Sequence, residues 1–408
     1  MNQTDGFQFD VKSLPIRPEG SEGADVVLHA RVVTGTGGGP EKTILLSSPF
    51  MRDTNYWLAA AYMHPPNDSG FESIQKRAID WDSPLIGVPD RGALDHRVVR
   101  NMLKICKHYG VRIWHGHDYK SNLLGLMLRP FWSMKLVTTV HGWVKHTSKT
   151  PLYYTVDRWC LPYYHHVICV SDDLVERVGQ LDMSTDRLSL IHNAIDEKAF
   201  DRKYASHESE MRKKFGVPKE RLVIGAVGRL SPEKAFDNLI TATHRLVGEG
   251  HDIELWIAGE GDIQDELQKQ IDELKLNDRV RLLGFCDDTI ALYHAMDVFV
   301  LSSLREGLPN VVLEAASMRV PMVSTRVAGV PKMVTDGKEG LLCECGDVDG
   351  LTDAMRRVVS DKELRGNLAT EGRALIEREY SFQNRMTKIK AIYDQVLGYN
   401  EQARKRPA

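Results

Sequence analysis

The sequence predicts an α/β protein with two Rossmann-like, doubly wound parallel-sheet domains that face each other across a cleft. Three patterns support this fold class. Short β-branched runs alternate with longer helical stretches, and the runs are apolar throughout, as strands covered on both faces are. The alternation lapses over residues 196–217, which are charged and weakly periodic, and then begins a second time. Ligands of such folds bind at the carboxyl ends of the strands.

The predicted elements follow from hydrophobic periodicity. Strands are predicted over 25–33, 56–63, 85–88, 111–115, 135–140 and 166–170, and then over 222–227, 253–258, 280–283, 298–301 and 322–324. Helices are predicted over 95–109, 262–274, 311–318 and 381–399. The resulting division is a flexible N-terminal tail (1–24), an N-terminal Rossmann-like domain (25–200), a C-terminal Rossmann-like domain (201–380) and a last helix (381–408).

Composition excludes several classes of protein. The chain has 408 residues, of which 42% are hydrophobic and 27% charged, so it is too apolar to be disordered. Its net charge of −3 gives no general attraction for nucleic acid. No apolar run of membrane-spanning length and no signal-peptide pattern occurs, and the six cysteines form no C-x-x-C pair. We therefore expect a cytoplasmic protein without a zinc site.

The segment Gly228-Arg229-Leu230-Ser231-Pro232-Glu233-Lys234 directly follows a predicted strand. Ser231 is a good N-cap and Pro232 a good first helical residue, so a helix is predicted to begin there. Arg229 and Lys234 flank this turn, and two cations beside a helix N-terminus suit a diphosphate. A capped helix with two solvated cations is the alternative.

A second segment, 305–315, links a predicted strand to a predicted helix that begins near Pro309 and Asn310. Glu306 precedes this helix and Glu314 lies within or just beyond its first turn. Two carboxylates beside one pocket are strong acceptors for the paired hydroxyls of a sugar or a ribose. The alternative is a solvated Glu306 and a Glu314 that merely favours the helix dipole.

Two weaker signals lie in the first half. A glycine-rich loop, 34–41, follows the first strand, but Pro40 stands at the last glycine position of a dinucleotide fingerprint, which disfavours a nicotinamide cofactor. His117 and His141 follow strands, at the edge where ligands bind. No acidic cluster completes a metal site with them, so no metal is expected.

The aromatic stretch from Tyr153 to Tyr164 has two readings. It is either a helix packed on the sheet or an amphipathic surface for an interface or an acceptor. The basic tail Arg404-Lys405-Arg406 is either a solvated end or a peripheral contact with the inner face of an anionic membrane.

Together these segments resemble family 4 of the retaining glycosyltransferases, which have the GT-B fold and include bacterial polysaccharide and glycolipid enzymes. The resemblance runs from about residue 25 to residue 380. It implies that the N-terminal domain (25–200) binds the acceptor, that the C-terminal domain (201–380) binds the nucleotide sugar, and that the last helix (381–408) crosses back to the N-terminal domain. Its most specific element is Glu306-x7-Glu314 within SSLREGLPNVVLEA. GRLSPEK, IAGEG, LLGFCDD and HNAID support it in order and spacing.

The resemblance implies a role for each matching residue. Arg229 and Lys234 would hold the donor pyrophosphate, Glu306 would bind hydroxyls of the transferred sugar, and Glu314 would bind the ribose. His141 would sit beside the donor sugar. The remaining donor-binding positions implied are Gly38, Gly39, Gly259, Phe285, Leu308, Pro309 and Asn310. The implied catalytic set is Glu306, His141, Lys234 and Arg229, with no metal and no cofactor.

The implied activity is metal-independent transfer, with retention, from a nucleoside diphosphate sugar to a glycan or lipid-linked acceptor of cell-envelope or extracellular polysaccharide. The alternatives are an epimerase, a phosphorylase or an inactive sugar-nucleotide binder of the same fold. Ala235, Ala194 and Lys332 depart from the family pattern, in which two glycines and a glutamate are common.

Overall fold

The computed structural model describes residues 14–92, 95–142, 150–202, 209–306 and 309–399. The chain divides into two compact units. Unit 1 comprises Met1–His192 and Met386–Ala408, and unit 2 comprises Asn193–Arg385. Each unit carries one parallel sheet with helices on both faces, so the predicted fold class is confirmed.

Unit 1 has a seven-stranded sheet in the order β3-β2-β1-β4-β5-β6-β7, and each neighbouring pair is parallel. The register aligns His29 on the first strand with His115 on the fourth. The strands are β1 (Asp25–Val32), β2 (Tyr56–His64), β3 (Leu85–Pro89), β4 (Val111–Gly116), β5 (Lys135–Val140), β6 (His166–Cys169) and β7 (Leu188–Leu190). The helices between them are α1 (Gly39–Ser47), α2 (Gly70–Asp80), α3 (His96–Tyr109), α4 (Tyr119–Leu128), α5 (Thr150–Cys160) and α6 (Asp172–Gly179).

Unit 2 has a six-stranded parallel sheet in the order β10-β9-β8-β11-β12-β13. Its strands are β8 (Leu222–Val227), β9 (Ile253–Ala258), β10 (Val280–Gly284), β11 (Val298–Leu301), β12 (Met322–Thr325) and β13 (Leu341–Cys343). Its helices are α7 (Glu210–Lys214), α8 (Phe236–Gly248), α9 (Gln264–Glu273), α10 (Thr289–Ala295), α11 (Asn310–Ser317), α12 (Val330–Met333), α13 (Val348–Ser360) and α14 (Lys362–Leu375). The last helix, α15 (Phe382–Leu397), begins in unit 2 and ends in unit 1.

The strands are buried on both faces of each sheet, which explains why their sequences do not alternate between apolar and polar residues. In unit 2, Ile224 and Val300 contribute to the core on one face of the sheet, whereas Val223 and Phe299 contribute to the core on the other.

The two three-residue strands β7 and β13 were not predicted, because so short an apolar run carries no periodicity. Among the helices in the described ranges, none combines the length and apolar character that a membrane crossing requires.

The division between the units differs from the predicted boundary at residue 200, because the segment after His192 is bonded to unit 2. The amide of Ile195 donates to the carbonyl of Tyr380 at 3.0 Å, and the amide of Phe382 donates to the carbonyl of Ile195 at 2.8 Å. Ser317 Oγ donates to the carbonyl of Phe200 at 2.7 Å. These bonds place the segment in unit 2, which the loss of periodicity alone did not indicate.

The C-terminal part of α15 is held in unit 1 by polar contacts to the sheet. The hydroxyl of Tyr56 donates to Asp394 Oδ1 at 2.8 Å, and the hydroxyl of Tyr399 donates to Asp25 Oδ2 at 2.5 Å. Met386 and Tyr393 are fully buried. The second boundary therefore falls after Arg385, within the helix, and not before it at residue 380 as predicted.

Candidate active site

Four neighbouring strands of unit 2 end at one edge of the sheet. The order β10-β9-β8-β11 places the residues after these strands side by side, because parallel strands share the edge at which they end. Gly228 follows β8, Gly259 follows β9, Phe285 follows β10 and Ser302 follows β11. The segments that the sequence singled out in the second half are thus brought to a common edge.

The first two of these loops are packed backbone against backbone. The amide of Gly228 donates to the carbonyl of Ala258 at 3.0 Å, and the amide of Gly259 donates to the carbonyl of Gly284 at 2.8 Å. Gly259 has φ +147°, and a Cβ there would lie 1.8 Å from the carbonyl oxygen of Gly228. Glycine is therefore required at 259 for this approach. Phe285, beside it, leaves 72% of its surface exposed.

The predicted helix start at Ser231 and Pro232 is wrong. Residues Pro232–Lys234 form a single 3-10 turn, and Ser231 makes no capping hydrogen bond. Ala235 then adopts φ +47°, in the left-handed region, and α8 begins only at Phe236. The left-handed residue interrupts the helix, which explains why a glycine is common at this position. A three-residue turn has no helix N-terminus of its own to offer an anion.

Lys234 and Glu306 are brought into direct contact. Lys234 Nζ lies 2.5 Å from Glu306 Oε1, and the hydroxyl of Ser303 donates to the same oxygen at 2.7 Å. Ser302 Oγ donates to the backbone carbonyl of Lys234 at 2.8 Å. The side chains of Lys234 and Glu306 are 17% and 11% exposed, so a charged pair lies at the edge with limited access to water.

Arg229 is not part of this contact. Its guanidinium donates to Glu233 Oε1 at 2.9 Å, and 67% of its side chain is exposed. The carbonyl of Glu233 accepts from the amide of Leu304 at 2.8 Å, which ties this turn to the loop after β11. Arg229 thus lies on the same turn as Lys234, but its ion pair is with Glu233 of that turn and not with Glu306.

Glu314 is the fifth residue of α11 and is oriented by Tyr293. The hydroxyl of Tyr293 donates to Glu314 Oε2 at 2.8 Å. Burial, followed by the neighbouring carboxylate, holds the pKa of Tyr293 well above its usual range, so its hydroxyl remains a donor. Pro309 caps α11 and Asn310 begins it, as predicted. The carboxamide oxygen of Asn310 is buried and has no partner among the described residues. Leu308 lies outside the described residues.

In unit 1 the glycine-rich loop is fastened by an ion pair that the sequence did not suggest. Gly39 begins α1, and the amide of Gly38 donates to Glu41 Oε2 at 2.7 Å. The other oxygen of Glu41 accepts from Arg31 Nε at 2.6 Å. Burial would raise the pKa of Glu41, but Arg31 and the backbone amides outweigh it and hold this pKa below its usual range. The amide of Gly38 is thus engaged by its own helix.

His141 directly follows β5, and its Nε2 lies 3.0 Å from Nδ1 of His117. Nε2 of His117 lies 2.8 Å from Nδ1 of His29. His29, His115 and His117 are buried, and their nearest ring nitrogens lie within 4.8 Å of one another, which is a spacing that a metal ion could use. Every ring nitrogen of these three residues already has a hydrogen-bonding partner, and no carboxylate from the described part of the chain belongs to the cluster. The donor set therefore fits a hydrogen-bonded chain better than a metal centre.

The residues that sequence reasoning missed are those that orient the predicted ones. Tyr293 donates a hydrogen bond to Glu314, and Ser303 donates one to Glu306. His29 is hydrogen-bonded to His117. A histidine inside the otherwise apolar first strand was the one visible signal. The pairing of Tyr293 with Glu314 has no sequence signature, because 21 residues separate them.

Two family models match the chain. Residues 207–375 match the model described as glycosyl transferases group 1, and residues 59–199 match the model described as glycosyltransferase family 4. The first match lies within unit 2, and the second lies in unit 1 except for residues 193–199.

Named relatives are enzymes of the same kind. A lipopolysaccharide core biosynthesis glycosyltransferase of Rhizobium meliloti is 38% identical over 42% of this chain, and the chain spans 49% of that relative's length. An α-1,3-galactosyltransferase of Escherichia coli, which uses UDP-galactose and a GlcNAc-diphosphoundecaprenol acceptor by its name, is 27% identical over 73% of this chain and 79% of its own.

Solved structures share the fold. HepE of Anabaena in complex with UDP aligns with a TM-score of 0.75 at 20% identity, over 91% of this chain and 100% of that one. A glycosyltransferase from Rickettsia africae aligns with a TM-score of 0.76 at 18% identity, over 92% and 100%.

Proposed function

Because this chain belongs to glycosyltransferase family 4, we propose that it transfers a sugar from a nucleoside diphosphate sugar to a glycan or lipid-linked acceptor of bacterial cell-envelope or extracellular polysaccharide. The observation that carries this proposal is the contact of Lys234 with Glu306 at the edge of the unit 2 sheet. This contact places an ammonium that can bind a phosphate beside a carboxylate that can accept hydrogen bonds from sugar hydroxyls. The relatives that act on lipopolysaccharide and on a lipid diphosphate support the acceptor class.

The donor is assigned to the strand ends of unit 2. Lys234 binds the diphosphate, assisted by Arg229, and Glu306 accepts hydrogen bonds from hydroxyls of the transferred sugar. Glu314, oriented by Tyr293, accepts the ribose hydroxyls. Phe285 offers an exposed ring to the base, and Gly259 lets the base approach the backbone. Pro309, Asn310 and Leu308 border the sugar and phosphate, where the buried oxygen of Asn310 accepts one hydroxyl.

Transfer breaks the bond between the anomeric carbon and the phosphate oxygen, and forms one between that carbon and an acceptor oxygen. Negative charge develops on the leaving diphosphate, and a fixed ammonium there stabilises it more in the transition state than in the ground state. We propose attack from the face that the diphosphate leaves, so that configuration is retained and the leaving oxygen takes the acceptor's proton. Lys234 supplies the charge, so the step needs no metal.

Unit 1 is assigned the acceptor and a second set of donor contacts. His141 contacts a hydroxyl of the donor sugar, and Gly38 and Gly39 approach a phosphate through backbone that carries no side chain. A cavity of about 550 Å³ beside β3 provides room for a polar acceptor. His64, Asp68, Arg91 and Asn101 line it.

The test is a calorimetric screen of nucleotide sugars, followed by transfer without an added acceptor. A donor present at a hundredfold its Kd raises the free energy of unfolding by about 2.7 kcal/mol. Slow hydrolysis then releases free nucleotide and sugar, and NMR of the first sugar released reports whether its anomeric configuration is retained. Activity in excess EDTA tests metal independence.

The same screen separates the alternatives. An epimerase converts the sugar without releasing nucleotide, and a phosphorylase depends on inorganic phosphate. An inactive binder shows the stabilisation but no release. Lack of stabilisation by every nucleoside diphosphate sugar would contradict the proposal itself, and Glu314→Gln serves as the binding-deficient control.

The basic tail Arg404-Lys405-Arg406 lies outside the described residues. We also propose a peripheral membrane contact through exposed side chains at and just after the ends of α4 and α5, two helices of unit 1 that pack against each other. These side chains, here called the aromatic patch, are Met127, Phe131, Trp159 and Tyr163. Each leaves between 46% and 67% of its surface exposed, and the rings of Trp159 and Tyr163 lie 5.4 Å apart. The exposed cations Arg129 and Arg158 belong to the same segments. Exposed aromatic rings beside cations suit the interface of an anionic bilayer.

Sedimentation with vesicles tests this contact. Binding to vesicles containing phosphatidylglycerol is expected to exceed binding to phosphatidylcholine vesicles and to fall with salt. Trp159→Ser combined with Phe131→Ser should abolish it. Ile79→Ser, which removes an apolar side chain that is 78% exposed on α2, should not. Equal sedimentation of all three proteins would reject the patch.

A further inference from the structure

The core of unit 1 contains a continuous chain of hydrogen bonds that starts on β5. The hydroxyl of Thr139 lies 2.8 Å from Nε2 of His115, and Nδ1 of His115 lies 2.7 Å from the hydroxyl of Tyr393. The same hydroxyl lies 3.4 Å from Nε2 of His29. Tyr393 therefore joins the histidines of β4 and β1, whose rings stack at 4.6 Å.

The chain continues from His29 to the edge of the sheet. Nδ1 of His29 lies 2.8 Å from Nε2 of His117, and Nδ1 of His117 lies 3.0 Å from Nε2 of His141. At each step one nitrogen of a ring faces the previous group and the other nitrogen faces the next. His141 is the end of this chain and is the residue assigned to the donor sugar.

The ring of His117 is neutral. Burial lowers the pKa of His117 far below its usual range, and His115, His29, His141 and Arg31 lower it further. His29 and His115 are equally enclosed, at 3% and 1% exposed. A neutral imidazole has one N–H and one lone pair, so a ring that accepts on one side must donate on the other.

The hydroxyl of Tyr393 has one hydrogen and two lone pairs, so it either donates to one of its two histidines or accepts from both. Beyond it, the bonds from His29 to His141 join only rings, and two arrangements of protons satisfy them. If His29 donates to His117, both bonds run toward His141, and with His141 neutral all three rings carry their proton on Nδ1. If His141 donates to His117, both bonds run toward His29, and all three carry it on Nε2. In the first arrangement Nδ1 of His141 is a donor, and in the second it is an acceptor.

We propose that His117 and His29 are positioning residues that give His29, His117 and His141 one shared tautomer, with Tyr393 acting on His29 at the inner end, and thereby set which nitrogen of His141 carries the proton. The effect on transfer rests on the proposed function, because it needs His141 beside the donor sugar. The shared tautomer does not rest on it.

Nitrogen-15 NMR of histidine-labelled protein at pH 7 tests the tautomer directly, since the two ring nitrogens of a neutral imidazole have distinct shifts. We expect His29, His117 and His141 to be all of the Nδ1-H form or all of the Nε2-H form, whereas His115, on the other side of the hydroxyl of Tyr393, can differ. Tyr393→Phe removes the hydroxyl beside His29, so the spectrum of His29 should change while these three histidines still share one form. Tyr109→Phe, which removes a hydroxyl that donates to the carbonyl of Pro15, is the control and should leave all four spectra unchanged.

Different tautomers among His29, His117 and His141 in the unaltered protein would overturn the inference. So would stoichiometric zinc at these residues, detected by metal analysis and by loss of the nitrogen-15 pattern on adding EDTA. The spectrum of Tyr393→Phe is interpreted only where the variant is folded, so that a failure to fold is not mistaken for a change of tautomer.

Kinetics separates this inference from the proposed function. His117→Ala should lower kcat at least tenfold, and His117→Asn should restore part of it, because its carboxamide can occupy the place of Nδ1 toward His141. If His141 changes tautomer in the NMR spectrum but kcat is unaffected, the chain stands and the assignment of His141 to the sugar fails.

Discussion

The ammonium of Lys234 lies 2.5 Å from Oε1 of Glu306, although 72 residues separate the two in the chain. Ser303 donates to the same carboxylate oxygen, and Ser302 holds the backbone of Lys234. The two loops after β8 and β11 are thereby fixed to each other by their functional residues. In the proposed donor complex, the ammonium of Lys234 leaves Glu306 and binds the phosphate, so that the carboxylate of Glu306 becomes available to sugar hydroxyls.

Lys234→Ala should lower kcat/KM for the donor about 100- to 1,000-fold, the range found when one transition-state charge partner is removed. Arg229→Ala should cost less than tenfold, because its guanidinium is 67% exposed and paired with Glu233. Steady-state kinetics with a fixed acceptor measures both. Equal losses in the two variants would place the diphosphate between the two cations instead of at Lys234.

Tyr293→Phe should raise KM for the donor about tenfold with little change in kcat, since Glu314 loses the hydroxyl that orients it and the ribose is remote from the bond that breaks. Tyr164→Phe is the matched control, because it removes another buried hydroxyl, one that donates to the carbonyl of Asn122 in unit 1. An unchanged KM in Tyr293→Phe would remove Glu314 from ribose binding.

Arg31→Met should destabilise unit 1 by about 3 kcal/mol at pH 7, because it leaves the buried carboxylate of Glu41 without its cation. Since the pKa of Glu41 is lowered in the folded protein, the contribution of this group is complete above the ordinary carboxyl pKa. It is lost as the pH falls through the folded value. The difference between the two proteins should therefore shrink in acid.

Urea unfolding followed by tryptophan fluorescence at several pH values measures this difference. Arg97→Met is the control, since Arg97 pairs with Asp95 with 46% of its side chain exposed to water, and its loss should hardly change the stability. A difference between Arg31→Met and the unaltered protein that grows in acid would contradict the expectation.

Gly259→Ala should abolish donor binding, because the added Cβ meets the carbonyl oxygen of Gly228 at 1.8 Å and forces the loops after β8 and β9 apart. Gly284→Ala should be tolerated better. It has φ +67° with open space around it, so it carries only the cost of a left-handed residue, about 1–2 kcal/mol. Calorimetry with the donor distinguishes them, and retained binding in Gly259→Ala would mean that these loops can separate.

Much of this molecule could be predicted without coordinates. The two parallel sheets follow from apolar runs that alternate with helical stretches, and all eleven predicted strands lie within one residue of the observed ones. Motif order was enough to indicate the family. The predicted helix at Ser231 failed, because the left-handed backbone at Ala235 depends on packing against neighbouring loops and has no local signal in an alanine.

What folding alone decided is which polar groups meet. Residue types and strand order predict that Lys234 and Glu306 lie at one edge, but not that they touch, nor that Arg229 pairs with Glu233 instead. Likewise, histidines on β1 and β4 become a single chain because the register pairs His29 with His115 and because α15 brings Tyr393 between them. Periodicity records which face a residue occupies, whereas a hydrogen bond depends on tenths of an ångström that only the packed sheets and helices set.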